Sequence, residues 1–126
     1  MLERDYLMRL VREFGEALAL LMNKKVKEQS EEIRSMYDLY VGPYDFYHTA
    51  AIEDVMESFE QFPVDERLQR MEMLAELYYV EGGLKSGPVR RMLLDKSLAL
   101  FTFIDSHDKT YSMERIAKIT ELKKML

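Results

Sequence analysis

Two histidines and a set of carboxylates are the residues with which this chain could do acid–base or metal chemistry. Asp45 stands three residues before His48, half of the carboxylate–histidine spacing that places the ligands of a two-metal centre on one helix face. The other half is missing, because Ile104 occupies the matching position before His107. The spacing therefore predicts no two-metal centre. His48 reads as a loop or helix-start residue, and His107-Asp108 as a solvated pair in a polar turn. Glu53, Asp54, Glu57 and Glu60 recur at three- and four-residue steps along one helical edge. Such carboxylates could hold a cation or share a proton, but no neighbouring residue type would bury one of them, so the edge reads as a solvated face. The chain has no cysteine, which excludes disulfides, thiolate zinc sites and a cysteine nucleophile. Nucleophile-elbow, phosphate-loop, dinucleotide and zinc-protease motifs are absent too. The expectation is no catalytic residue, no cofactor and no metal.

The short stretch with the most chemistry in it is Gly82-Gly83-Leu84-Lys85-Ser86-Gly87. It leads into a helix whose free N–H groups attract anions, and Lys85, Arg90 and Arg91 add positive charge. A phosphate, a sulfate or a partner's carboxylate could sit against Lys85, Ser86, Arg90 and Arg91. The plainer reading is a tight interhelix turn that uses glycine for its conformation. A second cluster is aromatic: Tyr37, Tyr40, Tyr44, Phe46 and Tyr47 surround Gly42-Pro43. Tyrosines pack through the ring and keep a wet hydroxyl, so this set suits either a contact surface or the seal between two helical pairs.

The elements that must position these residues are helical. Leu7, Leu10, Val11, Phe14, Leu18 and Leu21 line one face of a first helix. Residues 23–32 are polar and read as a loop or an exposed connecting section. A short second stripe, Ile33, Met36, Tyr37 and Tyr40, is stopped by Gly42-Pro43. A third helix is expected to start near Asp45 to Thr49 and to end before Pro63, carrying Ile52, Val55, Met56 and Phe59. Pro63, Asp65 and Glu66 suit the start of a fourth, whose face is Leu68, Met71, Leu74, Ala75 and Tyr78 and which closes at Gly82-Gly83. Pro88 opens a fifth, with a wide apolar face of Leu93, Leu94, Ser97, Leu98, Phe101 and Ile104 that implies burial on more than one side. Ser112 is a good N-cap for a last helix with Met113, Ile116, Ile119 and Leu122. The spacing thus predicts an all-α fold of five or six antiparallel helices.

Within that pattern Met71, Leu74, Ala75, Tyr78 and Gly82 stand at the spacings of a tetratricopeptide hairpin, and Leu94, Ser97 and Leu98 resemble the small-to-Leu step of its second helix. The loop Leu84 to Pro88 is longer than in that motif, and Arg90 replaces a small residue. The opening Asp5-Tyr6-Leu7-Met8-Arg9 and the closing Lys109-Thr110-Tyr111-Ser112-Met113-Glu114-Arg115 are similar to the ends of a family of small uncharacterised bacterial proteins, a domain of unknown function with tetratricopeptide-like members. The resemblance implies tetratricopeptide-like helical hairpins and assigns no activity. A solenoid needs about three repeats to hide its core, so the N-terminal helices or a second copy would have to act as the cap.

At 126 residues and 48% apolar, the chain has room for one packed domain, with N-terminal helices in 1–62 and a hairpin plus C-terminal helix in 63–126. Residues 1–30 carry a net +1, 31–81 a net −10 and 82–126 a net +4, against −5 overall. The acidic middle and basic end either face each other or form a bipolar surface for a charged partner. The overall charge and the lack of a basic aromatic stripe speak against nucleic acid. No signal-like or membrane-spanning run is visible, which leads to the expectation of a cytoplasmic protein with no membrane association. Function is expected to be protein–protein interaction or scaffolding without catalysis. The partner would be a protein, a peptide or a second copy as homodimer, held in a groove beside Tyr78, Tyr79 and the fifth helix. The alternative is an anion or small-ligand-binding protein that uses the Gly82–Arg91 loop.

Overall fold

A computed structural model describes residues 2–126, with side chains described from residue 5 onward. Among the described residues there are seven α-helices and no strand. They are α1 (Leu2–Leu21), α2 (Val26–Tyr40), α3 (Tyr44–Thr49), α4 (Ile52–Ser58), α5 (Arg67–Gly83), α6 (Gly87–His107) and α7 (Met113–Met125), with single 3₁₀ turns at Phe59–Gln61 and Val64–Glu66. The class is all-α, as the periodicity predicts. None of these helices is long and apolar enough to cross a membrane.

The extra helix comes from a division that the stripe does not signal. The segment expected as one third helix breaks at Ala50 and Ala51, which adopt extended backbone. The carbonyls released there are taken up by the ammonium of Lys96 on α6, 3.0 Å from the Tyr47 oxygen, 2.9 Å from that of His48 and 3.1 Å from that of Ala50. Three donors meet three acceptors, so the Tyr47, His48 and Ala50 carbonyls are satisfied although the helix ends there. The polar stretch 23–32 divides similarly. Met22 to Lys25 form the turn and α2 already starts at Val26, because the buried Gln29 amide donates to the Leu21 and Lys24 carbonyls at the end of α1.

The centre of the fold is α5 packed along α6, the most extensive contact in the molecule. Gly82 lies inside α5 on the interface, and a Cβ there would come within 2.7 Å of Leu94 Cδ2. Its role is close approach of two helices; the turn conformation is supplied by Gly87, at φ +64°. Ser97 adds a buried bond to the Ala75 carbonyl across the same interface. α2 packs on the outer face of α5, α7 covers α6, and α1 lies over α2 and touches α5. Phe14 of α1 meets Tyr40 edge-on at 5.1 Å.

Charge complementarity joins the acidic middle to the basic end. Lys118 of α7 pairs with Glu76 of α5. The buried Arg115 donates to Asp105, Asp108 and the Thr110 carbonyl, and so ties the α6–α7 turn together. Asp108 is therefore bound to Arg115 and forms no solvated pair with His107, whose ring stacks on Phe103 at 3.9 Å. The expected Ser112 cap is present, its hydroxyl accepting from the Arg115 amide at 3.2 Å.

Candidate functional site

The richest polar cluster lies where α2, α3 and α5 meet, and its centre is Glu81. This carboxylate is 3% exposed. By spacing it belongs to the core face of α5, seven residues on from Leu74 and three on from Tyr78. Tyr37 of α2 donates to Glu81 Oε1 at 2.7 Å, and Tyr44 of α3 donates to Oε2. The α3 helix that carries Tyr44 is started by Asp38, whose carboxylate accepts from the Tyr44 amide at 3.0 Å. With both phenol hydrogens committed to Glu81, the Tyr44 oxygen can only accept. His48 Nδ1 lies 3.0 Å from that oxygen and 3.3 Å from Glu81 Oε2, so the network assigns the hydrogen to Nδ1. Nε2, on the opposite edge of the ring, is left for solvent or a ligand. Burial pushes the Tyr37 and Tyr44 hydroxyls well above the ordinary phenol range, and the negative charge of Glu81 adds to it.

His48 and Tyr44 open onto a cleft of about 510 Å³ whose other lining residues are Arg34, Asp45, Leu84, Lys85, Ser86 and Val89. The guanidinium of Arg34 lies over the Tyr44 ring at 4.6 Å, and His48 stacks on the same ring at 5.0 Å. A small cavity of about 20 Å³ beside the cleft shares Arg34, Tyr44, Leu84 and Lys85 and is also lined by Glu81.

A second open region is apolar. Val11, Phe14, Gly15 and Leu18 of α1 face Met73 of α5 across a groove of about 310 Å³, rimmed by Gln69, Glu72, Glu76, Glu114 and Lys118. Burial raises the Glu72 carboxyl above its ordinary range. Val11 is 41% exposed and Met8, one turn before it, 63%, so part of the expected core stripe of α1 faces outward.

The residues singled out from sequence do not converge on one site. Tyr78 is 0% exposed and donates its hydroxyl to the Tyr47 carbonyl, so it presents nothing to a partner. Tyr79 donates to Glu121 of α7 at 2.6 Å, and Lys118 sits over its ring at 5.5 Å. The groove expected beside Tyr78, Tyr79 and α6 is thus covered by the chain's own α7. Lys85 and Ser86 line the polar cleft. Arg90 instead turns back to the Gly82 carbonyl and Met125, and Arg91 lines a different cleft beside Thr49 to Ile52 and Asp95. Of the aromatic cluster, Tyr37, Tyr40, Tyr44 and Tyr47 are buried and Phe46 remains exposed. The carboxylates Glu53, Asp54, Glu57 and Glu60 are all exposed. Among the described residues no three His, Asp or Glu side chains gather where they could hold a metal ion.

Comparison with known proteins adds no further identity: no protein-family model, no curated protein and no solved structure matches the chain.

Proposed function

We propose that this protein is a small, tetratricopeptide-like interaction module without catalytic activity, and that its partner docks in the groove between α1, α5 and α7. The observation that carries this reading is the groove itself: an open apolar floor of Val11, Phe14, Leu18 and Met73, with Met8 exposed one turn before Val11 on α1. Neighbouring antiparallel helices leave such strips, and amphipathic helices fill them. The rim adds a preference. Glu72, Glu76 and Glu114 stand against Lys118, which is already paired with Glu76. The net negative rim favours a helix whose apolar face is bordered by lysine or arginine.

The groove is bordered by α7, which itself covers Tyr79, so the docking surface is a different one from the groove expected beside Tyr78 and Tyr79. Tagged protein recovered from its native extract tests this, with Val11→Asp as the groove variant and Thr102→Asp as an exposed control on α6. The reading expects a stoichiometric protein partner with wild type and the control, and its loss with Val11→Asp. Equal recovery with both variants would place the partner elsewhere, and recovery of this chain alone would remove the reading.

A further inference from the structure

The polar cleft shares no lining residue with the apolar groove and lies by the C-terminal end of α5. Its side chains fall into two layers. The inner layer is closed on itself: Glu81 accepts from Tyr37 and Tyr44, and His48 Nδ1 faces Tyr44 and Glu81. The outer layer is not. Arg34 is held by its ring contact with Tyr44, yet neither Arg34 nor Lys85 is paired with a carboxylate among the described residues. The Ser86 hydroxyl makes no capping bond either. The side chains of Arg34, Lys85, Ser86 and His48 therefore border one cleft in a chain that carries −5 overall.

The negative groups that face the same space are Asp45 at the rim and Glu81 beneath. Glu81 keeps its charge but is engaged by two phenols and an imidazole, and neither it nor Asp45 forms an ion pair with Arg34 or Lys85, which leaves the N–H donors of both cations free for a ligand. A planar monocarboxylate offers two oxygens to these donors. A phosphate monoester offers three, carries up to two charges, and matches a guanidinium and an ammonium together. Asp45 can only accept, so it suits hydroxyl groups on the body of the ligand. The volume of about 510 Å³ holds a phosphate and a few carbon atoms.

From this geometry we infer that the cleft between α2, α3 and the α5–α6 turn is a binding site for a small, hydroxyl-bearing phosphate monoester. Arg34 and Lys85 bind the phosphate, the Ser86 hydroxyl donates to it, and His48 Nε2 and Asp45 accept from hydroxyl groups of the ligand. Tyr44 and Glu81 are positioning residues, since they fix the ring of His48 and the plane of Arg34 without reaching the ligand.

Titration calorimetry on the full chain tests this, with glycerol 3-phosphate, inorganic phosphate and sulfate as probes. The variants are Arg34→Ala, Lys85→Ala and, as an exposed control remote from the cleft, Lys123→Ala; all three positions are at the surface, so folding is retained. Saturable one-to-one binding is expected, tightest for glycerol 3-phosphate and weakest for sulfate. Loss of one charge-assisted contact should weaken it roughly tenfold or more in Arg34→Ala and in Lys85→Ala, with Lys123→Ala unchanged. His48→Gln should weaken binding less than either, because an amide oxygen can still accept from a ligand hydroxyl. No saturable binding in the millimolar range, or an equal loss in Lys123→Ala, would overturn the site. Tighter binding of a phosphoserine peptide than of glycerol 3-phosphate would overturn the small-molecule assignment and make the cleft a phosphopeptide surface.

Discussion

Tyr37→Phe removes one oxygen from the fold and leaves the ring that packs between Tyr44 and Tyr78. The oxygen is 2.7 Å from Glu81 Oε1, in a side chain that is 0% exposed, so no water replaces it. Glu81 keeps Tyr44 and His48 and is not orphaned. The loss is therefore that of a single charge-assisted hydrogen bond, about 1.5–3 kcal/mol. For a domain of this size that corresponds to a fall in Tm of roughly 5–15 °C. Urea unfolding followed by far-UV circular dichroism measures it directly. A double-mutant cycle with Glu81→Gln isolates the pair and should return a coupling of about 1 kcal/mol or more. A Tyr37→Phe stability within about 0.5 kcal/mol of wild type, or an additive cycle, would refute the view that Glu81 organises the junction of α2, α3 and α5.

Three further outcomes follow from the same packing. Burial raises the hydroxyls of Tyr37, Tyr44 and Tyr78 above the ordinary value of 10.0, and Tyr79, half-buried beside Glu121, is pushed up to about 12. Folded values above unfolded ones contribute stability that is present below pH 10.0 and lost as pH rises beyond it; ultraviolet titration should show these tyrosines ionising only as the chain unfolds. Lys96 has the opposite sign: burial pulls its ammonium from 10.5 down to about 8, so its contribution to stability rises with pH across that window, and urea midpoints of Lys96→Met should lack this rise. Gly82→Ala sets a Cβ within 2.7 Å of Leu94 Cδ2 and should cost about 1–3 kcal/mol, most of it absent when Leu94→Ala is the background.

The helices were legible in the sequence because their apolar residues keep a three- and four-residue rhythm from Leu10 to Leu122. The Ser112 start was legible for a local reason, since a capping hydroxyl acts three residues away on its own helix. The break at Ala50–Ala51 was not, because its cause lies on α6, where Lys96 supplies the donors from more than forty residues away. The buried charges were missed for a related reason: a charge is assigned to the surface by default. A signal was nonetheless present. Glu81 continues Leu74 and Tyr78 along the core face of α5, Lys96 lies between Leu93 and Leu100 on α6, and Arg115 precedes Ile119 and Leu122 on α7, all at helical spacing. A charged residue inside an apolar stripe announces a buried partner, and here each found one in a carbonyl, a phenol or a carboxylate.

The candidate site was half legible. Lys85 and Ser86 do border a polar cleft, but Arg34, Tyr44 and His48 complete it from α2 and α3, and chain distance hides that convergence. Arg90 and Arg91 were grouped with Lys85 by sequence proximity alone. On a helix adjacent residues point about 100° apart, and these two leave in different directions, one toward Met125 and the other toward Asp95.

The interaction reading is tested most directly by a photo-crosslinking amino acid placed at Val11 in the groove and, as control, at Thr102 on α6. In native extract the Val11 probe should couple to one protein partner, through a segment with an apolar face bordered by lysine or arginine, while the Thr102 probe couples to none. Crosslinks of equal yield from both positions, or none from Val11, would contradict docking between α1, α5 and α7.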